Sequence, residues 1–258
     1  EFRHSITIKV EIMNITISER RNIEFYFLLI ALGTLQAYRY NCIDLDTLES
    51  LIYRMKMLSI IDKNNLSSEL EEVVLRGMGL EDVEAWVKGT FPSMLLVDTI
   101  DTIEIDCKTL LMDPKYYSCF TDFKLFESIA DADLSLEIDY VSLVNFEFNM
   151  MIFLLGFTLL LREIDDELTQ VLLSFKDNVL SKIKNLGYKY SESFKDAIEL
   201  FDLIDFHENR FNPKRQQLLL KKISIKLRVY FVSATKEKIE ADIDFYKSDG
   251  LLYYVEAK

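Results

Sequence analysis

The sequence predicts a predominantly helical α+β protein with a full hydrophobic core. Only 7 glycines and 3 prolines occur among 258 residues, too few for the closely spaced turns of a β-sandwich or a propeller. The same scarcity excludes collagen-like and low-complexity chains. Apolar residues recur mainly at helical spacing, and alternation of apolar and polar residues is confined to short stretches. We therefore expect many helices and a small sheet.

Residues 13–112 are predicted to form a helical domain. Apolar side chains occupy most faces of residues 23–38, which is typical of a central helix. A Ser or Asp followed three residues later by Glu marks the start of a helix. Two pairs have this spacing, Asp46 with Glu49 and Ser68 with Glu71. Further helices are expected at residues 80–87 and, after Pro92, up to Leu111.

Residues 113–258 are predicted to form an α+β domain, since the Asp113-Pro114 step disfavours continuation of a helix. Residues 134–140 alternate with period two and are expected to form a strand. Helices are expected at residues 142–162, 165–185 and 191–206. Alternation near the C-terminus predicts an antiparallel three-stranded meander. Its strands are expected at residues 223–231, 239–245 and 251–257.

Residues 1–12 are set apart from the two domains. The chain opens with Glu-Phe and no Met, and Glu-Phe is what an EcoRI cloning site encodes. We expect this segment to be vector-derived, with Met13 as the native start. Its alternating residues could also add an edge strand.

One apolar run, residues 150–161, raises the question of whether the chain crosses a membrane. It is only twelve residues long, short of the roughly 20 needed to span a bilayer, and its acidic flank at residues 162–167 is unlike the basic flanks of membrane helices. We predict a buried core helix and no membrane association. The three cysteines form no Cys-x-x-Cys pair, and no secretory signal is evident, so a cytoplasmic location is expected.

The formal charge of −13 disfavours nucleic acid and anionic lipid as partners and favours a basic protein. Acidity that only provides solubility is the alternative. Charge is unevenly placed, with 8 basic against 18 acidic residues over 113–207 and 9 against 2 over 208–238. We expect these two segments to pair with each other, and a nucleic-acid face on residues 210–228 is the alternative.

The sequence lacks the residues and motifs that most common types of catalytic site need. Only two histidines occur, His4 and His207, so a His-based triad or a zinc site with several histidines is excluded. There is no GxGxxG, Walker or GxSxG motif. We expect His207 to be a capping or surface residue.

One C-terminal pattern could carry chemistry. Asp244, a turn at Asp249-Gly250, and then Glu256-Ala-Lys258 resemble the active-site hairpin of the PD-(D/E)xK nuclease superfamily. The resemblance implies a divalent metal, Mg²⁺ or Mn²⁺, held by Asp244 and Glu256, with Lys258 assisting the attacking water and Asp242 as the alternate carboxylate. Glu256 and Lys258 are two apart on a predicted strand and so share a face. An ordinary polar edge of a meander is the alternative.

The first half carries a second resemblance. Residues 24–110 contain Leu-Gly-Thr at 32–34, the Ser-Glu-Leu-Glu-Glu helix start at 68–72, and Leu-Glu-Asp-Val-Glu at 80–84. They look like a family of short, uncharacterised bacterial helical proteins, which is similar to the small acidic immunity proteins that neutralise polymorphic toxins. The resemblance implies binding rather than catalysis and transfers no functional residues.

These observations predict an immunity-type inhibitor that neutralises a toxin, most plausibly a nuclease, by electrostatic mimicry. Two acidic clusters are candidates for the partner-binding surface. One is Glu81, Asp82 and Glu84, and the other is Glu163, Asp165, Asp166 and Glu167. This prediction involves no cofactor, metal or catalytic residue. The alternatives are the metal-dependent nuclease, which would act on nucleic acid, and a helical adaptor protein.

Overall fold

The computed structural model describes residues 13–39, 41–87, 93–116, 119, 133–140, 143–163, 166–202, 218, 221–222, 225–226 and 255–256. It is predominantly helical, as predicted. The strands are β1 (Met13–Ser18), β2 (Ser135–Tyr140) and β3 (Val255–Glu256). The helices are α1 (Arg20–Arg39), α2 (Leu45–Leu51), α3 (Met55–Lys63), α4 (Ser68–Met78), α5 (Leu80–Val87), α6 (Ser93–Leu111), α7 (Leu143–Glu163), α8 (Asp166–Asn185) and α9 (Glu192–Asp202), with a 3₁₀ turn at Pro114–Tyr116.

The sheet joins segments that are far apart in sequence. β1 pairs antiparallel with β2 over six residues, from Met13 opposite Tyr140 to Ser18 opposite Ser135. The two residues of β3 pair antiparallel with the same strand, β2. Ile15 and Ile138 are fully buried, so this face of the sheet contacts the core, as the alternation of apolar residues requires.

The C-terminal meander is not supported by the described residues. Ile225 and Lys226 are helical, although residues 223–231 were expected to form a strand. Val255 and Glu256 do form a strand, but β2 is its partner. Residues 239–245 lie outside the described residues. The prediction used period two, whereas the apolar residues at 220, 223 and 227 also have helical spacing.

Two central helices, α1 and α7, form the middle of the molecule. Every residue from Asn22 to Ala37 is buried, and so is every residue from Asn145 to Leu160. The helices approach closely where Gly33 meets Gly156. A Cβ atom on either glycine would collide with the backbone of the other helix, at the carbonyl of Ile152 for Gly33 and of Leu29 for Gly156. Glycine is therefore required at both positions.

Helix α7 contains the apolar run at residues 150–161, which was predicted to be a core helix rather than a membrane span. Leu143–Leu160 is long and apolar enough to cross a bilayer, but 89% of that window is buried inside the protein. The prediction of a core helix is confirmed, because a helix that is apolar on all sides is stable when the rest of the fold covers it. This burial is consistent with a soluble protein.

The starts of α2 and α4 differ slightly from the prediction. The N-cap of α2 is Asp44, whose carboxylate accepts a hydrogen bond from the Thr47 backbone N–H at 2.9 Å. Ser67 takes that place for α4 and accepts from Leu70 N–H at 3.4 Å. Each cap residue has an extended backbone, which an N-cap requires.

The remaining helices surround the central pair. α6 packs against α1, α4 and α5, and α9 packs against α8. The buried apolar residues form one continuous cluster from Ile15 to Phe201. The expected division at residues 112–113 stays a prediction. Residues 1–12 lie outside the described residues.

Candidate functional site

The candidate site is a group of four carboxylates where α5 begins beside α2, which we call the acidic corner. It consists of Asp46, Glu49, Glu81 and Asp82. The Glu81 backbone N–H donates a hydrogen bond to Glu49 Oε1 at 3.2 Å. The first N–H groups of a helix have no partner within the helix, so Glu49 caps α5 from another element and fixes Glu81 beside it.

Crowding of like charges shows in the pKa of Glu49. Partial burial raises this pKa, and the nearby carboxylates of Glu81 and Asp46 raise it further, while the hydrogen bond from Glu81 N–H lowers it. Asp46, Glu81 and Asp82 are exposed. Within the described part of the chain, no ion pair compensates these carboxylates. Among the described residues, the corner therefore carries concentrated negative charge that no neighbouring cation compensates.

Several other acidic residues of the first half form ion pairs with arginines. Arg76 bridges Glu72 on its own helix and Asp106 on α6, in a groove of about 140 Å³ between α4 and α6. Arg39 pairs with Asp101 and Glu104 of α6. These carboxylates form ion pairs that hold helices together, whereas within the described residues the acidic corner has only the hydrogen bond that Glu49 accepts from Glu81 N–H.

The outer face of α6 adds exposed apolar area next to α5. Met94 is 71% exposed and Ile105 is 61% exposed, with Leu95 and Val97 also exposed. Asp98 and Thr102 are exposed on the same helix. Apolar side chains beside unpaired charges are typical of protein-binding surfaces rather than of nucleic-acid interfaces.

The structure places the predicted partner-binding residues at two separate sites, one on α5 and one where α7 meets α8. Glu81 and Asp82 are exposed in the first turn of α5. Glu84 lies on the same helix, and its side chain is outside the description. The second predicted cluster lies at the junction of α7 and α8, and none of its side chains is described. Glu163 ends α7, Asp166 and Glu167 open α8, and Asp165 lies outside the described residues.

The residues of the nuclease alternative lie mostly outside the description. Asp242, Asp244 and Lys258 are not among the described residues. Glu256 is in β3, opposite Ser135 of β2. Across the described ranges, no group of three or more His, Cys, Asp or Glu residues is placed to hold a metal ion. The Mg²⁺ or Mn²⁺ site stays a prediction.

Sequence reasoning missed two buried carboxylates on the central helices. Glu24 accepts hydrogen bonds from Ser67 N–H at 2.7 Å and from the Tyr116 hydroxyl at 2.8 Å. Burial and the Glu24 charge raise the pKa of Tyr116, so this hydroxyl keeps its proton and stays a donor. Glu147 accepts from both N–H and Oγ of Ser191, at 2.6 and 2.7 Å. The sequence signal that could have revealed both residues is a glutamate inside an otherwise apolar helix.

A family of unknown function matches part of the chain. Its model, described as "Protein of unknown function (DUF3969)", covers residues 18–129, which contain α1 to α6 and the whole acidic corner. The stretch that resembles uncharacterised bacterial helical proteins, residues 24–110, lies inside this match. No curated protein matches the chain, and no solved structure matches it.

Proposed function

We propose that this protein binds a basic protein through the acidic corner and acts in the cytoplasm as an immunity-type inhibitor of a bacterial toxin, in particular a nuclease. The observation that carries the proposal is the group of carboxylates at Asp46, Glu49, Glu81 and Asp82, because no ion pair within the described residues neutralises them. Partial burial raises the pKa of Glu49, and repulsion from Glu81 and Asp46 raises it further. A cation that approaches the corner relieves this repulsion.

A nuclease suits this surface because its substrate cleft is positively charged to bind phosphates. Carboxylates that occupy such a cleft replace the phosphates and block the substrate without any chemistry. Complementary charge also speeds association, by about 10-fold to 1,000-fold at low salt. The exposed apolar residues of α6, Met94 and Ile105 among them, supply contact area next to α5.

The test begins with the full chain expressed in a bacterial host, recovered by affinity at low salt, and with stoichiometric partners identified by mass spectrometry. A recovered basic protein is then purified, and its nuclease activity is measured with and without the full chain. Inhibition at a fixed stoichiometric ratio supports the proposal. A partner without toxic activity, or one whose activity is unaffected, contradicts the inhibitor function.

The surface is tested with E81Q/D82N, which removes two charges from the corner. We expect the association rate at low salt to fall about tenfold, with a weaker salt dependence. The matched control is D62N/E199Q, which removes two exposed carboxylates elsewhere and is expected to change little. A third variant, E163Q/D165N/D166N/E167Q, tests the other predicted cluster. If only the third variant loses binding, the partner docks at the α7–α8 junction.

Recovery of no partner would favour the nuclease alternative. The next comparison would then be Mn²⁺ binding and Mn²⁺-dependent cleavage by the wild type and by Glu256→Ala. Metal binding unchanged by that substitution would exclude Glu256 as a ligand.

A further inference from the structure

A sequence pattern occurs twice at a constant separation of 123 residues. The pattern is Asn-x-Glu-Phe, six residues, Leu-Gly, five residues, Arg, and it begins at Asn22 in α1 and at Asn145 in α7. It contains the buried carboxylates Glu24 and Glu147 and the contact glycines. The two most buried helices of the fold therefore share the polar and small residues that apolar helices seldom carry.

The repeated residues also make the same contacts. Glu24 accepts from the backbone of Ser67, the N-cap of α4. Glu147 accepts from the backbone of Ser191 directly before α9, and Ser191 Oγ caps that helix by accepting from Phe194 N–H at 3.3 Å. In each case one buried carboxylate on a central helix fixes the start of a later helix.

The elements between these residues correspond as well. In the second half, α8 corresponds to α2 and α3 together in the first half. Both stretches are followed by a turn that contains a residue with a left-handed backbone, and then by the capping serine. That residue is Asn65, with φ of 49°, in the first half and Gly187, with φ of 71°, in the second. Each half thus runs through a strand, a central helix, a peripheral helical stretch, a left-handed turn, a capping serine and the helix that this serine caps.

The correspondence extends to α6. Ile105 and Asp106 of α6 match Ile225 and Lys226, which are helical and 120 residues further on. Both isoleucines are exposed, at 61% and 52%. Asp106 pairs with Arg76 of α4, and Lys226 Nζ lies 3.4 Å from Asp196 of α9. In both halves an ion pair joins the two corresponding helices, and the positions of the acid and the base are exchanged between the halves.

Two contacts between the halves are reciprocal, as they would be about an approximate two-fold axis. Gly33 meets the carbonyl of Ile152, and Gly156 meets the carbonyl of Leu29, which are the same contact seen from each side at the 123-residue separation. In the sheet, Ile15 lies opposite Ile138, its own equivalent. Reciprocal contacts of this kind define an isologous interface, as between the subunits of a homodimer.

We infer that the described residues from 133 to 226 are a second copy of the unit formed by residues 13–111, and that the surface joining the copies fits a second copy of the first unit. The family match ends at residue 129, before β2 and α7. The matched stretch alone would leave β1 and the Gly33 face of α1 uncovered, and α1 is buried on every side. Because equivalent glycines, equivalent backbone carbonyls and equivalent isoleucines make the contacts at the axis, the first unit can supply both sides of these contacts.

The test uses the full chain and a cysteine on the axis. If the first unit pairs with the first unit of another molecule, residue 15 faces residue 15 across the axis. The full-length I15C chain is refolded in oxidising buffer at a protein concentration of about 1 mM. This is near the effective concentration that one half of a chain has for the other half, so pairing between two chains can compete with pairing within one chain. We expect a disulfide-linked dimer whose mapped bond joins the cysteines introduced at position 15 of the two chains. Ile15 is fully buried in the monomer, so native surfaces cannot form this bond.

The matched control is I17C, which replaces an equally buried residue two positions off the axis, where it would face residue 13 of the other copy. We expect no bond between the cysteines introduced at position 17 of two chains.

The second control is S18C/S135C. Its two cysteines should form a disulfide within one chain, since the two Oγ atoms are 3.4 Å apart. A monomeric I15C chain beside a closed S18C/S135C control overturns the inference, and so do equal dimer yields from I15C and I17C. Failure of S18C/S135C to close would contradict the strand register on which the axis depends. None of these outcomes depends on the partner of the acidic corner.

Discussion

Burial governs the chemistry of individual side chains in this protein. It raises the pKa of the Cys119 thiol from its ordinary value of 9.0 to about 12 and the pKa of the Tyr26 hydroxyl to about 12. Burial likewise raises the pKa of Cys107, with the nearby Asp106 and Glu104 charges adding to it. Thiols of this kind are packing residues, because the thiolate is the reactive form and they do not reach it near neutral pH.

Native protein is therefore expected to react very slowly with a chromogenic disulfide reagent at about pH 8, where an exposed thiol is partly ionised. The unfolded chain should react at once at all three cysteines. Since the folded-state pKa of Cys119 is raised, its stabilising effect is present below the unfolded value and is lost as pH rises from 9.0 towards 12. Fast labelling of native Cys107 or Cys119 would contradict this prediction.

At the scale of elements, the crossing of α1 and α7 depends on two glycines. We expect G33A and G156A each to lower the free energy of unfolding by about 2–3 kcal/mol, because the added methyl group must push a backbone carbonyl away. The double variant should cost less than the sum, since both changes separate the same two helices. Urea unfolding measures all three values.

The control is G79A. Gly79 has an ordinary right-handed backbone, and an added Cβ would only reach the Arg76 carbonyl at 3.4 Å. This variant should change stability by less than about 1 kcal/mol. Equal losses in G79A and G33A would mean that the close crossing is absent in solution.

At the scale of the whole molecule, one continuous core predicts one cooperative transition. The core includes residues from Ile15 to Phe201, on both sides of the expected boundary at residues 112–113. E24A and E147A each leave buried or partly buried donors without an acceptor, which we expect to cost about 1–3 kcal/mol.

Both variants should shift the same transition, whether it is followed by circular dichroism or by the fluorescence of the single Trp86. E71Q is the control, since Glu71 is exposed on α4. Two transitions, with E24A affecting one and E147A the other, would instead support separate domains divided at residues 112–113.

Local pattern was sufficient for most of the helices and for β2. The run of apolar residues in α7 predicted a core helix, because a helix depends on residues within a few positions of each other. The low glycine and proline content of the whole chain predicted a helical fold. The pattern was ambiguous at residues 223–231, where apolar residues fit both periods and Ile225 and Lys226 are helical. The strand at Met13–Ser18 was also missed, since it falls within the stretch expected to be helical.

The sequence by itself determined the helical class, the buried central helices and the excess of negative charge. Only the tertiary structure decided which carboxylates are paired, because Asp101 and Asp106 are neutralised by arginines of other helices while Glu81 and Asp82 form no ion pair with any described residue. It also decided that Gly33 meets Gly156 and that Glu24 caps a helix 43 residues away. The physical reason is range: periodicity fixes the faces of one element, whereas contacts between distant segments depend on how those faces pack.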